Sequence, residues 1–212
     1  MTRKIFWKDP YQTHFETEVT SVCDEIITLK ETIFYAFAGG QEGDCGSIGG
    51  YPVIEAHKSG KEIYYSLSDK HNLAVGDRVA VEIDWDRRYK LMRLHFAAEV
   101  ILELITRNLV GSQKIGAHIS AEKARIDFKW PESISGILPE IKNQARRIID
   151  ADLKIVSEFS DEEAERRYWE IDGFARVGCG GTHLRRSGEI GEFTLKRKNI
   201  GKGKERVEIY LA

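Results

Sequence analysis

Cys179 and His183 are separated by Gly-Gly-Thr, a Cys-x3-His spacing. A thiolate and an imidazole so placed can grip one zinc ion if the chain between them turns tightly. Gly180 and Gly181 permit the close approach and positive φ that such a turn needs, and Gly178 extends that freedom. The same spacing also suits a buried structural cysteine beside an unrelated histidine. A second pair lies in His95-Phe-Ala-Ala-Glu99. Residues i and i+4 lie one above the other on a helix, so both side chains can reach a single ion. Imidazole nitrogen and carboxylate oxygen are both zinc donors. A locally bonded histidine, with a glutamate paired to some base, reads equally well from these residues. The two fragments are far apart in the chain, and spacing alone does not join them. His14, His57, His71 and His118 have no partner at ligand spacing and read as structural or exposed.

The elements that must position these residues follow from patterning. From Leu91 to about Asn108, apolar residues recur at Leu91, Leu94, Ala98, Ile101 and Ile105, which predicts a helix carrying His95, with Gly111 as its stop. Upstream, segments 16–29, 32–37, 51–55, 61–67 and 75–84 read as short strands between turns, with a glycine-dense stretch at 39–50. That is the pattern of a small β-barrel. Downstream, 117–120 and 124–130 read as a hairpin, 134–150 as a second helix and 153–159 as a strand. Residues 188–212 read as two strands round a glycine- and lysine-rich turn. Ser160-Asp-Glu-Glu163 matches a capping box and predicts a short helix there. The fold class expected is α+β, with a β-barrel domain over 1–88 and an α+β domain over 89–212 that holds the candidate ligands.

Composition narrows the function classes. With 42% hydrophobic and 31% charged residues the chain is ordinary for a globular protein. A formal net charge of -2 gives no global pull toward nucleic acid, so any RNA contact must be local. Cys23, Cys45 and Cys179 are too few and scattered for a disulfide framework. No apolar run approaches a membrane span and the N-terminal residues lack a signal-peptide pattern, so a reducing cytoplasm is expected. There is no P-loop, so no use of ATP is expected.

Four motifs occur in order: Phe34-Tyr-Ala-Phe-Ala-Gly-Gly-Gln-Glu-Gly-Asp-Cys-Gly46, Ile83-Asp-Trp-Asp-Arg-Arg88, Met92-Arg-Leu-His95 and Cys179-Gly-Gly-Thr-His183. Together they resemble the editing region of alanyl-tRNA synthetase and its freestanding relatives, the AlaX family, in the medium-length form with a glycine-rich barrel domain. The resemblance covers nearly the whole chain. It implies a translation-protein-like β-barrel followed by the second additional domain of threonyl- and alanyl-tRNA synthetases, an antiparallel sheet with helices. It also implies a zinc-dependent hydrolase that cleaves serine or glycine from mischarged alanine tRNA at its acceptor end.

In that family a helical His-x3-His and a Cys-x3-His hold one zinc ion. His95, Cys179 and His183 match; Glu99 stands where the family has histidine, and Phe96 where it usually has threonine. Glu99 is therefore expected either as fourth ligand or as a group that orients the hydrolytic water. Gln41 matches a glutamine implicated in editing, and Phe96, Gly180 and Thr182 are expected to join it around the substrate. Phosphate contacts are expected from Arg87, Arg88 and Arg93 beside His95, and from Lys196, Arg197, Lys198, Lys202 and Lys204 in the terminal hairpin. The alternative is a metal-free, non-catalytic relative that binds tRNA.

Overall fold

The structure is a computed structural model that describes every residue of 1–212 except Asp69 and Lys202. Two units are present: Met1–Ala38 with Glu42–Tyr89, and Gly39–Gln41 with Lys90–Ala212.

In the first unit β1 (His14–Cys23) and β2 (Ile26–Leu29) form a hairpin whose turn is made at Asp24, with φ of 52°. They are followed by β3 (Gly46–Ile48), β4 (Tyr51–Pro52), β5 (Glu55–Ser59), β6 (Glu62–Ser66) and β7 (Arg78–Ile83). The seven strands make one antiparallel sheet in the order β4-β3-β7-β1-β2-β6-β5. The sheet curls as a half-barrel round Val19, Ile27, Leu29, Ile48, Ile63, Tyr65 and Val81. These residues alternate with polar ones along their strands, as a sheet with one buried face requires.

Segment 32–37 is not the strand expected. Glu31–Thr32 pairs as strand, in parallel with Arg3–Lys4, and Phe37 makes a single parallel bridge to His57. Between the two the backbone turns to side chains: the N–H of Phe34 donates to Thr32 Oγ1 at 3.0 Å and that of Tyr35 to Asp44 Oδ2 at 2.6 Å. Strand-forming residues here fill the core without joining a ladder, with Ile33, Phe34, Tyr35 and Ala36 all buried.

Arg88 explains much of this loop, and its placement corrects the expectation that it meets phosphate. The residue is fully buried (0% exposed). Its guanidinium pairs with both oxygens of Asp44 and donates to the carbonyls of Pro10 at 2.8 Å and Ile33 at 2.6 Å. It is a clamp tying three segments of the first unit together. Arg88→Ala, which strands the Asp44 carboxylate in the interior, should cost about 3–5 kcal/mol of unfolding free energy in a urea titration. A loss below ~1 kcal/mol would show that the pair is not buried in solution.

Helix α1 (Trp85–Asn108) begins in the first unit and continues in the second. Asp84 caps it, its Oδ1 accepting from the N–H of Arg87 at 3.0 Å. Buried residues extend beyond the expected stripe to Met92, Phe96, Ala97, Val100 and Leu104, as in a helix enclosed on most sides. Gly111, at φ 93°, follows its end.

The second unit contains β8 (Gln113–Ile119), β9 (Ala124–Lys129), α2 (Leu138–Asp150), β10 (Val156–Asp161), β11 (Arg166–Ile171), β12 (Ala175–Gly178), β13 (Phe193–Asn199) and β14 (Lys204–Leu211). They form a four-stranded sheet, β8-β9-β14-β13, and a three-stranded one, β10-β11-β12, both antiparallel. With two helices packed among antiparallel sheets the fold is α+β. The helix expected at Ser160 is absent; that segment closes the β10–β11 hairpin. Asp161 Oδ1 accepts from the N–H of Ala164 at 2.8 Å and Glu165 takes φ of 54°. Ser160 Oγ donates to the Arg166 carbonyl across the hairpin, so cross-strand pairing supplies what a cap would have.

Candidate functional site

His95 lies in the second turn of α1 beyond the unit boundary, and its ring faces the turn that follows β12. Its Nε2 is 3.3 Å from Cys179 Sγ, and its ring centroid is 5.3 Å from that of His183. One donor atom from each of His95, Cys179 and His183 lies within 4.8 Å of the others. Two fragments separated by more than eighty residues thus meet at one point.

Glycines make the meeting possible. A Cβ on Gly181 would sit 1.9 Å from His95 Cε1, 2.5 Å from its Nδ1 and 2.8 Å from Gln41 Oε1, so the backbone there occupies the space of a side chain. Gly40 does the same for the opposing loop. It has φ of 89°, a Cβ on it would meet the Ala117 carbonyl at 2.7 Å, and its own carbonyl accepts from the N–H of Ile119 at 2.7 Å. Gln41 is thereby pinned to β8 and directed inward.

Gln41 is 1% exposed, and both the oxygen and the nitrogen of its amide bond within the protein. Oε1 accepts from the Thr182 N–H at 3.2 Å and lies 2.5 Å from His95 Nδ1, while Nε2 donates to Thr182 Oγ1 at 2.8 Å. An oxygen that accepts from a backbone N–H leaves His95 Nδ1 one role, that of donor. The imidazole is therefore held with Nε2 directed at Cys179, the arrangement in which a metal-binding histidine donates its other nitrogen to an acceptor. Gln41 and Thr182 position His95 and are buried along with it. Phe96 is likewise fully buried, edge-on to Trp169 at 5.1 Å and 5.9 Å from the His183 ring, behind the site. Of the four expected substrate contacts Gly180 is exposed.

His183 Nδ1 pairs with Ser157 Oγ at 2.8 Å, and its buried Nε2 has no hydrogen-bond partner among the described residues. Glu99 stands beside the three donors, outside the group they form. Oε1 is 3.5 Å from His95 Nε2 and 4.0 Å from Cys179 Sγ, and Oε2 accepts from the indole N–H of the buried Trp169 at 2.9 Å. Arg167 supports the turn from below, donating to the carbonyls of Gly181 and Ser157, while its own carbonyl accepts from the Cys179 N–H at 2.9 Å. Ser157, Arg167 and Trp169 had no signal in the sequence: each is one residue in an ordinary alternating strand.

The electrostatics follow from proximity. Burial works against charge on His95, but the adjoining Cys179 thiolate and Glu99 carboxylate hold it at about 10. Burial pushes the Cys179 thiol up, yet His95 and His183 bring it down to about 5. Burial also raises Glu99, and the bonds from His95 and Trp169 outweigh that and lower it to about 2. Proximity thus favours the ionised form of each of these three groups.

One thiolate and two imidazole nitrogens converging in this way fit a zinc ion. The unpartnered Nε2 of His183 is what such an ion needs, a buried nitrogen with no other partner.

The other expected contacts separate. Arg87 is paired with Glu42 at 2.7 Å and with the Gly43 carbonyl, and Arg93 donates to the Ile190 carbonyl at 2.9 Å. Arg197 is held by both oxygens of the buried Glu205 on the core-facing side of the terminal hairpin, so it does not present its charge outward. Lys196, Lys198 and Lys204 are exposed, and Lys202 lies outside the described residues.

The chain is similar to several known proteins. Residues 170–208 match the model of the threonyl and alanyl tRNA synthetase second additional domain. The full chain is 35% identical to the alanyl-tRNA editing protein AlaX-M of Pyrococcus horikoshii, covering 98% of that protein. It is 33% identical to AlaX-M of Saccharolobus solfataricus, with 98% of each covered. An alanine–tRNA ligase of Methanococcus maripaludis is 34% identical over 98% of this chain, which spans 26% of the ligase.

Proposed function

Because the chain belongs to the AlaX-M family of alanyl-tRNA editing proteins, we propose that it is a zinc-dependent hydrolase that cleaves serine or glycine from the acceptor end of mischarged alanine tRNA, without ATP. The observation that carries the metal dependence is the convergence of His95 Nε2, Cys179 Sγ and His183 on one point. When bound there, a zinc ion supplies Lewis acidity toward a water molecule or the ester carbonyl.

The chain's own residues do the rest. Gln41 Oε1 and Ser157 Oγ fix the two imidazoles through Nδ1, which leaves each Nε2 as the nitrogen available to a metal. Glu99, ionised and with one oxygen held by Trp169, directs the other toward the donor group, where it accepts a hydrogen bond from the attacking water. Cys179 and Gly180 form the accessible side, and the ester approaches past them.

Incubating the purified protein with alanine tRNA carrying serine tests the reading. Release of free serine with metal-dependent turnover supports it; intact seryl ester in the presence of stoichiometric zinc refutes it. Trp169→Phe tests the part given to Glu99. It keeps an aromatic ring against Phe96 but removes the indole N–H together with the fused ring that carries it, so the carboxylate loses its tether and a urea titration reads the packing loss separately. Deacylation kcat should fall roughly 10–100-fold, as for loss of a hydrogen bond behind a working group. An unchanged kcat would free Glu99 from any role in orienting water.

A further inference from the structure

The four-stranded sheet of the second unit buries one face and exposes the other. Ala124, Ile126, Phe128, Val207, Ile209 and Phe193 point into the core. Strand alternation sends their neighbours outward: Arg125, Asp127 and Lys129 from β9, Lys196 and Lys198 from β13, and Lys204, Arg206, Glu208 and Tyr210 from β14. Register joins them into one patch, since Arg125 opposes Glu208, Asp127 opposes Arg206, Lys129 opposes Lys204, and Lys196 opposes Glu208. Lys123, beside β9, reaches over the same face to Glu208 at 2.7 Å.

Both acids are buried beneath the bases and brace them. Asp127 takes Arg206 through two bonds and Arg125 at 2.5 Å; Glu208 takes Lys123, Lys198 and the Tyr210 hydroxyl. Lys196 lies 4.8 Å over the Tyr210 ring. Lys129 and Lys204 have no ion-pair partner among the described residues, although they stand directly opposite each other across two strands. Like charges so placed destabilise a sheet. On a chain whose total charge is -2, such a concentration of bases on one face has an electrostatic use.

We propose that this outward sheet face is the surface that carries the phosphate backbone of the RNA, with Lys129, Lys196 and Lys204 as direct phosphate contacts and the Asp127 and Glu208 networks holding the remaining bases in place. The inference rests on the tRNA-editing reading for the identity of its polyanion. It moves the contact from the hairpin taken as a whole to one side of it: Lys129 joins, and Arg197, on the core side, drops out. Contacts of this kind position RNA without reading its sequence.

The test is the salt dependence of alanine tRNA binding by the full chain, uncharged tRNA being the probe. Replacing Lys129, Lys196 and Lys204 together by serine should make the log–log salt slope shallower by roughly three and weaken binding on the order of 10²-fold at ~0.1 M salt. A matched variant lacking the exposed Lys8, Lys30 and Lys70 of the first unit loses the same charge and should bind like the unaltered protein. Equal losses in the two variants, or an unchanged slope, would overturn the assignment. So would anionic phospholipid vesicles that bind the protein as tightly as tRNA and lose it to the same lysine replacements. An unaltered protein that binds with the expected slope yet leaves the seryl ester intact would sink the hydrolase reading and leave the surface standing.

Discussion

Cys179→Ala is expected to abolish metal binding and to lower kcat/KM for mischarged alanine tRNA by at least about 10³-fold, the several kcal/mol that metal assistance provides in ester hydrolysis. The size follows from what this sulfur is. Among the three converging donors it is the one that bears negative charge, its thiol being held down at about 5 by the two imidazoles beside it. Without it, two imidazoles and a carboxylate 3.5 Å from His95 remain, and the thiolate that favours Zn²⁺ is lost. The fold should survive, because the tie from Cys179 to Arg167 runs through the backbone N–H and is kept in alanine. Circular dichroism and urea unfolding near those of the parent would confirm that the loss is chemical. Retention of more than about a tenth of the activity would remove Cys179 from the mechanism.

Gly181→Ala should be nearly as damaging for a different reason. The added carbon would fall 1.9 Å from His95 Cε1, and the imidazole has nowhere to go, being pinned by Gln41 on one side and its own helix on the other. The turn must move instead, pulling Thr182 from Gln41 and displacing His183. Misplacement of about 1 Å costs on the order of 10²-fold in rate, and overpacking adds about 1–3 kcal/mol of destabilisation. Steady-state kinetics and urea titration read the two effects. Gly180→Ala supplies the contrast, since a carbon there meets nothing within 4 Å; its metal affinity should match the parent's. If both alanines behaved alike, the turn would not be packed against His95 as described.

The division between what was legible in the sequence and what was not has a physical basis. The helix from Leu91 and the pairing of Cys179 with His183 could be read because period and spacing are local properties. That these two fragments meet is a long-range fact, and it became readable only through four motifs in fixed order. Gln41 was identified by its place in a glycine loop. Its task, orienting His95, was hidden because nothing local says which way an amide points. Arg88 misled for a similar reason: an arginine beside another reads as a solvated pair, whereas Asp44 and two carbonyls bury it. Ser160 carried a sound capping signal that strand pairing overrode. The lysines of the terminal hairpin could be read as a local run, but Lys129 could not, because register alone brings it from β9 to the same face.

Cobalt(II) titration of the metal-depleted protein, followed by absorption spectroscopy, probes the shared grip of His95, Cys179 and His183 most directly. Thiolate ligation gives an intense sulfur-to-cobalt band, and a four-coordinate ion gives strong visible bands. The account predicts both at one ion per chain, with the sulfur band lost in Cys179→Ala and the visible bands weakened in His95→Ala. Cobalt taken up with no sulfur band, or with a spectrum indifferent to either replacement, would place the metal elsewhere and contradict the account.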